Sequence, residues 1–202
     1  HPVTWDPHPE IHNTTAHNSQ GLLASANFRA GARVLAKMGL SFDAWLYFPQ
    51  LPELAEFAKA IPDLTIILNH IGGLMRIGPY AGHDDEVLPI WREGIAAVAE
   101  CPNVNIKLGG IGMPRTGFDW HTREVPIGSE ELASDTAPLI NYCIEKFGPN
   151  RCMFESNFPP DKVSFSYNVM YNSFKRISQV YSASERTNLF HDTAVRVYRI
   201  NE

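Results

Sequence analysis

The sequence predicts an α/β chain built on a parallel sheet, and two observations carry that expectation. Short apolar runs alternate with longer amphipathic stretches from Asn27 onward. The run Leu64-Thr65-Ile66-Ile67-Leu68 is almost continuously apolar, as a strand buried on both faces reads. Strands separated by helices pair in parallel through right-handed crossovers. No glycine-rich phosphate loop opens a helix after any of these strands, which disfavours a dinucleotide-binding sheet. A (β/α)8 TIM barrel takes about 250 residues. At 202 residues the chain reads as a single barrel domain over 1–202 that lacks the first strands at its N-terminal side.

The elements follow in order. His1 to Ser25, rich in Pro, His and Asn, reads as an irregular loop segment. Ala30 to Met38 sets Val34, Leu35 and Met38 on one helical face, and Gly39 stops it. Asp43 to Phe48 reads as a strand closed by Pro49. Leu51 to Ala58 is a helix with proline in its first turn, where the missing N–H costs little. After the Leu64–Leu68 strand, Val87 to Glu100 is helical and Val104 to Leu108 is a strand running into Gly109-Gly110. Ser129, with Glu130 and Glu131 behind it, opens a helix that ends at Gly148-Pro149. Arg151 to Phe154 is the fourth strand. Tyr167 to Val180 is helical, and a last helix starts at Ser184 and runs towards Tyr198.

Composition narrows the function. Seventeen Lys plus Arg against 22 Asp plus Glu give a net charge of −5, with no basic stripe, so a nucleic-acid partner is not expected. No apolar stretch approaches the ~20 residues of a membrane span, so no membrane partner is expected either. Cys101, Cys143 and Cys152 show no paired spacing. They read as reduced, buried thiols of a cytoplasmic protein rather than as a disulfide framework.

In parallel α/β architecture the chemistry gathers at the carboxyl ends of the strands. Reading past each strand gives Tyr47 and Gln50, then Asn69 and His70, then Lys107, then Glu155 and Asn157. No nucleophile elbow and no strand-end Cys–His pairing are present, so covalent acyl chemistry is not expected. Lys107 suits either a substrate-carboxylate anchor or a counter-charge for Glu155. Tyr47 and Gln50 are candidate substrate contacts, though Gln50 also reads as a helix-start residue. His8, His12 and His17 resemble a metal cluster on paper, but Pro7 and Pro9 oppose the helix that would align them. Tyr80 to Asp85 and Trp120-His121 lie in long loops suited to a lid, a substrate wall or ordinary packing.

The ordered segments "LPELAEFAKAIPDLTIILNHIGG", "NVNIKLGG" and "RCMFESNFPPD" resemble the C-terminal part of the amidohydrolase-related TIM-barrel hydrolases. This family includes pyrone-dicarboxylate and sugar lactonases and some metal-dependent decarboxylases. The resemblance covers most of the chain from Ala30, and it implies a water-activating site at the barrel mouth. By the same resemblance, His70 matches a strand-end histidine that holds a metal or a substrate carbonyl or carboxylate. Asn157 falls at the aspartate of the family's "GSDWP", and Glu155 at its glycine. An amide cannot serve as general base, so Glu155 is expected to take that role, on the same side of an extended chain as Asn157.

The resemblance thus implies a hydrolase acting on a small cyclic ester or similar carbonyl substrate, with His70, Glu155 and Asn157 catalytic. A decarboxylase of the same superfamily and an inactive barrel serving as a binding module are the alternatives. No tightly bound cofactor is expected in this chain, His70 being its one matched metal ligand; a divalent metal such as zinc is expected in a full-length relative. Exposed sheet edges would favour a homo-oligomer.

Overall fold

The computed structural model describes residues 2–15 and 17–200, so His1 at the head of the first loop lies outside the described residues. Four parallel strands, β1 (Ser41–Ala44), β2 (Thr65–Leu68), β3 (Val104–Leu108) and β4 (Cys152–Phe154), stand side by side in chain order. Helix α1 (Ala26–Lys37) leads into β1. Helices α2 (Leu51–Ala60), α3 (Asp84–Ala99) and α4 (Ser129–Phe147) make the three crossovers. Helix α5 (Tyr167–Ile177) packs on α4. The chain then runs through short helices Ala183–Thr187 and Thr193–Tyr198, joined by a π-helical turn over Asn188–Asp192. The sheet is an arc of a (β/α)8 barrel, as the alternation of elements predicts.

Register decides which side chains share a face. Asp43, Ile67 and Asn105 lie in one row across β1, β2 and β3, and Lys107 lies opposite Met153. The other face carries Phe42, Ala44, Ile66, Leu68, Val104, Ile106, Leu108 and Cys152, all buried in the main core with the helices. On the first face, Ile67 and Met153 meet Val197, Ala194 and Tyr198, so the C-terminal helix covers that side of the sheet. The three cysteines are buried and unpaired.

Several element ends differ from the sequence reading, each for a local reason. Strand β1 stops at Ala44 because Phe48-Pro49-Gln50 already turns towards α2. Helix α1 starts four residues earlier than its apolar face suggests, since the Ser25 hydroxyl accepts from Phe28 N. The last helices start after Ser182 rather than Ser184: Ser182 and Glu185 form a reciprocal capping box. The first segment is irregular yet well packed. Pro2 bridges Trp45 in parallel, Val3 N donates to Trp45 O (2.8 Å), and Val3, Thr4, Asp6 and Ile11 are buried.

The opposite end of the sheet is tied by two polar side chains. Asn103 Nδ2 donates to the carbonyls of Ala58, Ile61 and Leu64. The Arg151 guanidinium donates to those of Phe147, Cys101, Val104 and Ala99, closing the C-terminal ends of α3 and α4. Among the described residues no helix is long and apolar enough to cross a membrane.

Candidate active site

The site forms where β2 and β4 end. His70 to Gly73 carries four successive positive φ values (55°, 46°, 73° and 64°), so the chain after β2 winds left-handed for one turn. That conformation strains His70 and Ile71, whose Cβ atoms disfavour it. Gly73 is obligatory at its place, because a Cβ there would sit 1.9 Å from Leu46 O. The turn aims the imidazole across the sheet end. His70 Nδ1 lies 2.6 Å from Glu155 Oε1, and the same oxygen accepts from His70 N at 3.2 Å. Both side chains are about 15% exposed (15% and 14%), enough for access but little enough to limit screening.

Gly109 and Gly110, at the end of β3, make room for this pair. A Cβ on Gly109 would lie 2.4 Å from Glu155 Cγ, and one on Gly110 would lie 2.6 Å from His70 Cβ, Cγ and Nδ1. The glycines legible after the third strand are therefore a cradle for the dyad. The Trp45 ring meets the His70 ring edge-on at 4.5 Å.

Asn157 sits in a different arrangement from the extended one predicted. Its φ is 47°, so the chain turns at this residue and the alternation argument fails there. Its Nδ2 donates to Asp161 Oδ1 at 2.6 Å, while Asp161 Oδ2 accepts from Gly112 N at 3.1 Å. Asp161 is 1% exposed. Burial pushes its carboxyl up to about 6, against the lowering effect of the Asn157 and Gly112 hydrogen bonds and the nearby His70. Sequence reading missed Asp161; its one signal is a position four residues past Asn157 in "NFPPD".

The other expected site residues have other partners. Lys107 lies within β3 rather than beyond it, and its Nζ bonds Asp43 Oδ2 at 2.7 Å, above the Tyr198 ring. Burial lowers the Lys107 pKa, but bonds to Asp43 and Tyr198 and the charge of Glu155 outweigh it, so the net shift is upward. Gln50 is committed to the backbone: Oε1 accepts from Trp5 N and Tyr47 N, and Nε2 donates to Val3 O. Tyr47 is fully buried; its hydroxyl donates to His12 O and accepts from Arg115 Nη1. His70, Glu155 and the Asn157–Asp161 pair thus gather at the strand ends, while Lys107 sits deeper and Gln50 is a clamp.

A zinc site is not completed by these donors. His70 has only Nε2 left for a metal, since Nδ1 is held by Glu155, and Asn157 offers a neutral amide already bonded to Asp161. Among the described residues no three His, Cys, Asp or Glu side chains converge as metal ligands. His8 belongs to a separate cluster, with Nδ1 2.8 Å from the buried Asp6 carboxylate, which Tyr80 also bonds at 2.7 Å.

Residues 9–200 match the amidohydrolase family. The chain belongs to that family. It is 37% identical over 184 residues to the uncharacterized protein y4mH of Sinorhizobium fredii, covering 91% of this chain and 55% of that protein. It is 28% identical over 180 residues to the L-fucono-1,5-lactonase of Burkholderia multivorans, covering 88% and 57%. Among solved structures, an amidohydrolase from Burkholderia multivorans with bound zinc superposes with a TM-score of 0.77 at 25% identity, covering 90% of this chain and 60% of that one. A putative 2-pyrone-4,6-dicarboxylic acid hydrolase from Pseudomonas putida shares the fold at 19% identity, with a TM-score of 0.63 and coverage of 90% and 60%. The chain spans 55% and 57% of the two relatives matched by sequence.

Proposed function

We propose that this amidohydrolase opens a small cyclic ester by activated water, with His70 as general base. The observation that carries the reading is the 2.6 Å contact between His70 Nδ1 and Glu155 Oε1 at the strand ends. A carboxylate on one ring nitrogen fixes the tautomer and leaves Nε2 to receive a proton. The expected roles therefore shift. Glu155 holds and orients the imidazole and stabilises its cation, and His70 Nε2 takes the proton from water. The resulting hydroxide attacks the ester carbonyl, and the imidazolium returns the proton to the ring oxygen as the C–O bond breaks, giving a hydroxy acid. Asn157, turned and held by Asp161, has its second Nδ2–H to offer the carbonyl oxygen as charge develops there.

Sequence similarity to a lactonase supports the substrate class. The test is base uptake in a pH-stat with a panel of five- and six-membered sugar lactones and δ-valerolactone. His70→Asn is expected to lower kcat by roughly 10²–10⁴-fold, as loss of a general base does. Glu155→Gln, which keeps shape but not charge, is expected to fall in the same range with KM little changed. Turnover by His70→Asn at the wild-type rate would overturn the assignment.

A further inference from the structure

We propose that the groove lined by Arg115, which the Trp45 ring separates from the dyad, is the subsite for an apolar substituent of the substrate, and that Arg115 anchors a carboxylate carried on it. This inference rests on the hydrolase reading above and names its substrate class.

The groove encloses about 390 Å³ between the segment around Ile11 and the loops that carry Ile77, Met113 and Val163. That volume suits part of a small ligand. Glu10, His12 and Arg115 are its polar members, while branched aliphatic and thioether side chains, two prolines and Tyr47 make most of its walls apolar. Sugar hydroxyls buried against them would lose water without gaining partners, whereas an alkyl or aryl group would gain contact, and methionines adapt to its shape.

One fixed cation stands in this apolar wall. The Arg115 guanidinium lies over the Trp45 ring (5.2 Å) and the Tyr47 ring (5.4 Å), and Nη1 donates to the Tyr47 hydroxyl at 2.9 Å. Those contacts set its plane. Arg115 is in none of the ion pairs among the described residues, and Glu10, which also lines the groove, does not bond it. A preoriented guanidinium with donors to spare suits a carboxylate, which it binds through two parallel hydrogen bonds. The same Trp45 ring that carries Arg115 also touches His70, so the anchor is one indole away from the proposed base. Mostly apolar walls and the stacked Arg115 guanidinium, which Glu10 does not pair, together suit an amphipathic carboxylate.

The experiment is titration calorimetry of the whole protein with 4-phenylbutyrate, 4-phenylbutan-1-ol and gluconate as probes. Phenylbutyrate is expected to bind at least tenfold more tightly than either of the others. Arg115→Gln is expected to weaken phenylbutyrate at least tenfold and to leave phenylbutanol within twofold. Val163→Asp, at an exposed position where the fold is not at stake, is expected to weaken both phenyl probes. Gluconate binding as tightly as phenylbutyrate, or Arg115→Gln binding it like the wild type, would overturn the proposal. Hydrolysis of δ-valerolactone separates the two claims. Turnover without selective phenylbutyrate binding sinks the groove alone, and selective binding without turnover of any lactone sinks the hydrolase reading alone.

Discussion

Replacing Gly110 by alanine tests the cradle beneath the dyad. Two costs are separable in the structure. Gly110 has φ 68°, a conformation that costs a residue with a Cβ about 1–2 kcal/mol. The added methyl would also lie 2.6 Å from three atoms of His70, whose own backbone is strained and whose ring is pinned by Glu155 and Trp45. Overpacking of that kind costs about 1–3 kcal/mol more. The sum is about 2–5 kcal/mol, and for a chain of this length it should lower Tm by on the order of 10 °C. Two controls isolate the terms. Gly82→Ala has φ 75° and open space, so it should cost only the conformational share. Gly128→Ala has φ −87° and nothing within 4 Å, so with the small loss of a helix N-cap glycine it should stay within about 1 kcal/mol of the wild type. Urea unfolding of the three variants gives the comparison, and lactone turnover of Gly110→Ala reports whether the imidazole has moved. If Gly110→Ala is no less stable than Gly82→Ala and keeps full turnover, the cradle has no role in placing His70.

Further outcomes follow from the polar contacts. Asp161 holds its proton up to about pH 6 in the folded chain against an ordinary value of 3.8. Its contribution to stability is therefore full below the unfolded value and is lost as pH rises through 6. Between pH 4 and 7 the wild type should lose roughly 2–3 kcal/mol more than Asp161→Asn, measured by urea unfolding; parallel pH profiles would contradict the burial argument. Arg151→Met removes donors to four backbone carbonyls and should cost about 3 kcal/mol, a loss well outside calorimetric error. Gln50→Leu should free the first segment from β1, read as faster amide exchange at Trp5 and Tyr47 than in the wild type.

The order of strands and helices was legible in the sequence because apolar periodicity and turn residues are local properties. Leu64 to Leu68 and Val104 to Leu108 announce themselves as buried parallel strands, and such strands carry their reactive groups at one end. Hence His70, Glu155 and Asn157 were nameable as a group without coordinates. The Gly109-Gly110 pair was visible too, though not its purpose.

Which polar groups pair with which was decided only in three dimensions. Glu155 became the partner of His70 because their contact spans 85 residues, and no local pattern reports a bond of that separation. Asn157 turned at φ 47° because Asp161, four residues on, captured its amide, so the rule that residues two apart share a side did not apply. Lys107 reads by type as a substrate anchor or a counter-charge for Glu155, Gln50 as a helix-start residue or a substrate contact, and Tyr47 as a substrate contact; the partners the fold gives them are Asp43, three backbone groups, and Arg115 with His12. Arg115 gave no signal in "GMPRTG", since its meaning depends on two rings brought over from the end of β1. Sequence fixes the local geometry that each segment prefers; the pairing of polar groups is a competition among all the donors and acceptors the fold brings within about 3 Å, and only tertiary structure settles it.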